Sequence, residues 1–135
     1  MVDDERAKDV TIHVSDSALM HLLLAGMESY DVRLYGGKPI KRGKKKPVET
    51  AGLLWGYTVQ RDDMDHVMVE HVSTDTYATR SYWDVELNDT VIDTKRQIIR
   101  DRWPHLLMIG DFHTHPYETY KDAKEVKGWE ASPKT

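Results

Sequence analysis

Residues 106–116 read LLMIGDFHTHP, an apolar run that leads directly into two histidines. The run from Leu106 to Gly110 does not alternate with polar residues, which is typical of a strand buried on both faces. We therefore predict a strand over 106–112 in the interior of a sheet. Pro116 turns the chain away from that sheet, because proline cannot donate to a strand ladder.

The segment nearest the N-terminus predicts a short strand followed by a helix. Val10, Ile12 and Val14 alternate with Thr11 and His13, as in a half-buried strand. A helix over 16–29 follows, with Ser15 or Asp16 as its N-cap. Its apolar face consists of residues at spacings of three and four, namely Leu19, Leu22, Leu23, Gly26, Met27 and Tyr30.

A β-hairpin is predicted next along the chain. Residues 47–60 and 64–72 are two apolar stretches on either side of a turn signal, Arg61-Asp62-Asp63. Beyond them, residues 82–87 carry only a weak strand signal.

A second amphipathic helix is predicted over 89–103. Asn88 or Asp89 supplies its N-cap, and Pro104 ends it. Its apolar residues recur at helical spacing and are Val91, Ile92, Ile98, Ile99 and Trp103.

Two polar stretches show no periodic apolar pattern. Residues 34–47 are rich in lysine and glycine, which predicts a solvated basic loop. Docking of an acidic partner surface is the alternative interpretation of this loop. Its glycines and lysines lack the spacing of a phosphate-binding P-loop. Residues 117–135 predict neither a strand nor a helix.

Composition limits the class of protein. The 135 residues suffice for one domain, which we place over 1–135. Hydrophobic residues make up 39% and charged residues 31%, which indicates a folded domain rather than a disordered tail. The net charge of −4 argues against a dedicated nucleic-acid binder. Because cysteine is absent, disulfides, thiolate zinc sites and cysteine nucleophiles are excluded.

The same sequence predicts a cytoplasmic protein without a membrane segment. The residues from Met1 to Arg6 are mostly charged, unlike a signal peptide. Apolar runs such as Leu22 to Gly26 fall far short of the ~20 residues that a membrane span needs. The absence of cysteine fits the cytoplasm.

His113 and His115 are candidate metal ligands. Alternate residues of a strand point to the same face, with Cα atoms about 6.5–7 Å apart, so the two imidazoles can converge on one ion. Zinc accepts histidine nitrogen, and a catalytic zinc commonly has three protein ligands and a water. The alternative is a pair of surface histidines at the end of a strand.

Glu49 is a candidate general base. It stands at the start of the strand that contains Gly52 and Gly56. Glycine weakens a strand unless a backbone or a ligand must approach closely, so these glycines indicate a close approach. A carboxylate here can take a proton from a metal-activated water. The alternative is an ordinary solvated glutamate.

Two motifs in this order resemble the JAMM (MPN+, or JAB-type) metalloprotease family, and most closely its prokaryotic branch. They are Glu49-x-x-Gly52-x-Leu54-x-Gly56 and Gly110-Asp111-Phe112-His113-Thr114-His115-Pro116. The resemblance extends over about residues 10–135. It implies an α/β sandwich related to the cytidine deaminases, in which helices flank a central mixed sheet.

The resemblance also implies a role for each matching residue. Glu49 is implied as the general base, and His113 and His115 as ligands of Zn²⁺. In the family a Ser-x-x-Asp motif follows, whose serine polarises the substrate carbonyl and whose aspartate is the third zinc ligand. Ser132 is the counterpart of that serine, and Thr135 stands at the aspartate position.

Thr135 is therefore a departure from the family pattern. A threonine hydroxyl is a poor zinc ligand, and the C-terminal part of the family fold is expected to be missing. We expect the 135-residue chain to bind zinc weakly or not at all, with residues 117–135 mobile. Asp111 is expected to lie behind the histidines rather than on the metal. The candidates for a substitute oxygen ligand are Glu118, Asp122 and Glu125.

The function implied by the resemblance is zinc-dependent hydrolysis of peptide or isopeptide bonds. The implied substrate is a protein or peptide, such as the C-terminal tail of ubiquitin or of a ubiquitin-like or sulfur-carrier protein. The alternative is a non-catalytic MPN-like interaction module that binds no metal. A zinc deaminase shares the general fold but normally uses cysteine ligands, which this chain lacks.

Overall fold

The computed structural model describes residues 9–31, 33–35, 38–40, 49–75, 79–80, 85–117 and 120–125. Its helices and strands follow in chain order: β1 (Val10–Val14), α1 (Asp16–Asp31), β2 (Arg33–Tyr35), β3 (Lys38–Ile40), β4 (Ala51–Arg61), β5 (Met64–Thr74), β6 (Thr79–Arg80), β7 (Val85–Glu86), α2 (Asp89–Arg102), β8 (Leu107–His113) and α3 (Tyr120–Glu125).

A four-stranded mixed sheet organises the described part of the chain. Its strand order is β1-β5-β4-β8. β1 runs parallel to β5, whereas β4 runs antiparallel to both β5 and β8. β2 pairs with β3, and β6 with β7, as two separate antiparallel pairs. The predicted α/β class with a mixed sheet is confirmed.

The predicted hairpin is confirmed and consists of β4 and β5. Arg61 lies opposite Met64, so only Asp62 and Asp63 connect the strands. Both aspartates have positive φ, 52° and 59°. Two left-handed residues give a connection whose twist matches that of the flanking strands, and aspartate tolerates this conformation better than most residues.

Helices α1 and α2 lie on opposite faces of the sheet. A Cβ built on Gly26 of α1 would lie 3.5 Å from the Thr114 side chain, next to Thr50. α2 instead faces Trp55 and Ser73, with which its residues Lys95, Ile98 and Ile99 line a small recess. Since Thr50 and Trp55 are five residues apart on one extended segment, their side chains point to opposite faces.

Both predicted helices begin with a side-chain cap. Ser15 Oγ accepts a hydrogen bond from Ala18 N at 3.0 Å, and Asn88 Oδ1 accepts one from Val91 N at 3.1 Å. Each cap satisfies a backbone N–H that has no partner within its helix. The structure therefore selects Ser15 and Asn88 between the alternatives that the sequence left open.

The apolar face predicted for α1 is only partly buried: Leu22, Gly26 and Tyr30 are half-buried, whereas the other three residues of that face are exposed. Leu23 is 56% exposed and Met27 62%. Ala18 and Ser29 are buried instead. Small residues let the helix backbone approach the sheet closely, whereas residue spacing identifies an apolar stripe without showing that it faces the core.

The prediction that the strand over 106–112 is interior was wrong. Within the described residues β8 pairs only with β4 and lies at the edge of the sheet, and Leu107 is 61% exposed. A bulge explains the misleading pattern: Leu54 lies opposite Gly110 and Trp55 opposite Met108, so Ile109 is an extra residue. The extra residue interrupts the alternation that an edge strand would otherwise show.

Three stretches differ from the sequence predictions in detail. Part of the predicted loop over 34–47 is the β2–β3 pair, and residues 41–48 lie outside the described residues. α3 occupies part of 117–135, where no helix was predicted, because six residues are too few to show a helical period. The weak strand signal over 82–87 corresponds to the two-residue β7.

Candidate metal centre

His113 and His115 bring two imidazole nitrogens together at the end of β8. Their Nε2 atoms lie 2.9 Å apart, and the ring planes are tilted by 47°. His113 is exposed and His115 is half-buried, so the nitrogens are accessible from solvent. In a tetrahedral zinc site with Zn–N bonds of 2.0–2.1 Å, two ligand nitrogens are about 3.3 Å apart. A small side-chain rotation therefore suffices for both to bind one ion.

Glu49 comes to the same corner of the sheet from the neighbouring strand. Ala51 lies opposite His113 in the antiparallel β4–β8 pair. The pairing continues past the strand ends, because Thr114 N donates to Thr50 O at 2.9 Å. Glu49 directly precedes Thr50 and is half-buried. The segment that carries the predicted base therefore adjoins the segment that carries both predicted metal ligands.

Thr114, between the two histidines, connects the two strands at this corner. Its hydroxyl oxygen accepts a hydrogen bond from Thr50 N at 3.0 Å, in addition to the backbone bond in the other direction. Thr50 is fully buried. The sequence analysis missed this role, since nothing in the spacing of a threonine shows which backbone N–H it will accept from.

Thr114→Val is expected to lower the free energy of unfolding by about 1–3 kcal/mol, because the buried Thr50 N–H loses its acceptor. Thr114→Ser keeps the hydroxyl and should recover most of the loss. Thr50→Val is the matched control: Thr50 Oγ1 is buried and has no hydrogen-bond partner in the described part of the chain, so its removal should be neutral or stabilising. Urea denaturation measures all three. Equal losses from the two valine variants would contradict the proposed pairing.

A third metal ligand does not come from the described residues. Across their ranges, no three or more His, Cys, Asp or Glu side chains are grouped so that they could hold a metal ion. Asp111 is exposed and lies opposite Leu53, two residues back from His113.

Asp122 and Glu125 lie on α3, where Glu125 pairs with Lys121 at 3.8 Å. Three residues named in the sequence analysis lie outside the described residues: the candidate oxygen ligand Glu118, the candidate oxyanion donor Ser132, and Thr135 at the position of the family's aspartate. The donor set described here fits two of the three protein ligands of a catalytic zinc.

A buried aspartate that the sequence analysis missed supports this corner from the other neighbouring strand. Asp75 N donates to Ala51 O at 3.0 Å, and Asp75 Oδ2 accepts from Asn88 N at 2.9 Å. Asp75 therefore ties the start of β4 to the start of α2. Burial lowers the pKa of Lys95, and the nearby Asp75 carboxylate opposes that shift. Lys95 Nζ donates to Thr74 O at 2.8 Å.

The comparisons with known proteins assign no family to this chain. No protein-family model matches it, and no curated protein matches it either.

Among the described helices, none is long and apolar enough to cross a membrane.

Proposed function

We propose that this chain is a zinc-dependent hydrolase of peptide or isopeptide bonds with a fold of the JAMM/MPN type. The observation that carries the proposal is the approach of His113 Nε2 and His115 Nε2 to 2.9 Å at the corner where the Glu49 segment meets β8. A mixed sheet with helices on both faces agrees with the proposed fold.

The proposed roles combine the chemistry of each group with the resemblance to the JAMM family. His113 and His115 would hold Zn²⁺, which when bound acidifies a water and polarises the scissile carbonyl. Glu49 would take the proton of the attacking water and pass it to the leaving amine, since a base can act directly or through one water. Ser132, by its resemblance to the family serine, would donate to the developing oxyanion.

The proposed substrate is the C-terminal tail of a ubiquitin-like or sulfur-carrier protein. Such a tail is extended, so its scissile carbonyl can reach an exposed corner without unfolding of the substrate domain. His113 is exposed at that corner.

A non-catalytic interaction module is the second candidate. The observation in its favour is that the described residues supply two metal ligands rather than three. This candidate predicts neither zinc binding nor hydrolysis.

Zinc titration by calorimetry on the 135-residue chain tests the metal site directly. We expect weak binding of one Zn²⁺, abolished by His113→Ala and by His115→Ala. His66→Ala is the matched control, because it removes one member of a different histidine pair. Loss of zinc binding in His66→Ala alone would contradict the proposed site, and no zinc binding in any form would favour the interaction module.

Thr135→Asp supplies a carboxylate at the position of the family's third ligand. We expect it to tighten zinc binding by at least about tenfold, because ionised carboxylates are zinc ligands and neutral hydroxyls are not. Thr135→Asn introduces a side chain of nearly the same shape as aspartate but without the charge, so it should not tighten zinc binding. Cleavage of a ubiquitin-like protein fused to a C-terminal peptide is then measured with and without zinc. Equal affinities in the two variants would contradict the assignment of Thr135 to that position.

A further inference from the structure

A second pair of histidines lies at the other edge of the sheet. His13 Nε2 of β1 and His66 Nδ1 of β5 are 2.9 Å apart, and their rings are stacked with centroids 5.2 Å apart. His13 is exposed and His66 is half-buried, so solvent reaches the pair.

Two methionine thioethers share the face of this pair. β5 reads Met64-Asp65-His66-Val67-Met68, in which alternate residues point to one face. Met68 lies beside His13 in the parallel register. Thr11, which lies beside His66, donates from its Oγ1 to Met64 Sδ at 2.9 Å. The two methionine side chains therefore project from the same face of the sheet as the two imidazoles.

We propose that His13, His66, Met64 and Met68 form a binding site for monovalent copper. Thioether sulfur is a soft ligand that selects Cu(I), and imidazole binds copper as readily as it binds zinc. Hard divalent cations prefer carboxylates, and the described residues contain no group of three His, Cys, Asp or Glu side chains that could hold a metal. Two imidazoles with two thioethers are thus a donor set better suited to copper than to magnesium or calcium.

This copper site is distinct from the proposed hydrolase site. His66 lies opposite Val59 on β4, and His113 lies opposite Ala51, eight residues further back along the same strand. At about 3.3 Å a residue, the two sites are about 26 Å apart along β4. The inference does not depend on zinc binding or on hydrolysis.

Competition for Cu(I) against a bathocuproine chelator, under anaerobic conditions with ascorbate, tests the site in the 135-residue chain. We expect one Cu(I) per chain to be retained. His13→Ala and Met68→Leu should each weaken binding by at least about tenfold, since loss of even an indirect partner of a metal site costs about 10–100-fold. Leucine nearly conserves the volume of methionine, so Met68→Leu removes the sulfur with little effect on packing.

Matched controls separate this site from the other histidines and methionines. His113→Ala, His71→Ala and Met20→Leu should leave Cu(I) affinity unchanged. Redox-inert Ag(I) provides a second measurement: it should shift the methyl NMR signals of Met64 and Met68 but not that of Met20. Copper binding that is lost in His113→Ala, or that is unaffected by both Met68→Leu and His13→Ala, would overturn the proposal. So would methyl signals of Met64 and Met68 that do not move.

Discussion

Gly56→Ala is expected to lower the free energy of unfolding by more than about 3 kcal/mol, a large share of the stability of a small domain. A Cβ built on Gly56 would overlap the backbone carbonyl oxygen of Met68 and lie 3.2 Å from Ile109 Cδ1. Because the overlapped atom belongs to the backbone of β5, it cannot move away by side-chain rotation. The β4–β5 pairing must therefore shift as a whole. Urea denaturation followed by circular dichroism measures the loss.

Gly110→Ala is the matched control, because this glycine also lies within the sheet. A Cβ there would lie 3.7 Å from Leu54 Cδ1, which is an ordinary contact. The change in stability should stay within about 1 kcal/mol, since alanine is otherwise the better strand residue. Gly52→Ala should resemble Gly56→Ala, because its Cβ would overlap the Ser73 carbonyl oxygen. A Gly56→Ala protein as stable as Gly110→Ala would contradict the close approach of β4 and β5.

Local chemistry made several elements predictable from the sequence. The two caps act through side chains that lie within three residues of the N–H groups they satisfy, Ser15 for Ala18 and Asn88 for Val91. The hairpin connection is likewise local, because Asp62 and Asp63 adopt the left-handed conformation in place. The glycines of β4 were also informative, since a strand keeps glycine where another backbone comes close.

Non-local packing was not predictable in the same way. The stripe containing Leu23 and Met27 has the spacing of a packed face, yet the structure packs the neighbouring small residues. Residue spacing shows which side of a helix is apolar, but not how closely that helix packs against its sheet. The position of β8 at the edge was hidden by the bulge at Ile109, which depends on the register with β4.

At the candidate site, too, local features could be predicted from the sequence and non-local contacts could not. The approach of His113 and His115 was predicted from strand alternation, although β8 ends at His113 and His115 lies just beyond it. Their proximity to the Glu49 segment was expected from the family resemblance, and the β4–β8 register now gives it a geometric basis. The contributions of Thr114 and Asp75 depend on partners 64 and 13 residues away in the chain, so no local pattern shows them.

Glu49→Gln is expected to slow hydrolysis by the zinc-loaded chain about 100- to 10,000-fold, the usual contribution of a general base. Glutamine keeps the shape of glutamate but cannot accept a proton at neutral pH. Zinc affinity should change little, because the proposed ligands are His113 and His115. The measurement is the rate of cleavage of a ubiquitin-like fusion together with a zinc titration of the same variant.

Asp63→Asn, in the exposed turn at the other end of β4, removes the same charge away from the corner and should leave the rate unchanged. The pair of measurements separates the roles of base and ligand. A variant that loses zinc and activity together would make Glu49 a metal ligand, whereas one that keeps both would remove it from the chemistry. Only a Glu49→Gln variant that still binds zinc but no longer hydrolyses the fusion agrees with the proposed role of Glu49. In that role its carboxylate acts on the attacking water beside the two histidines.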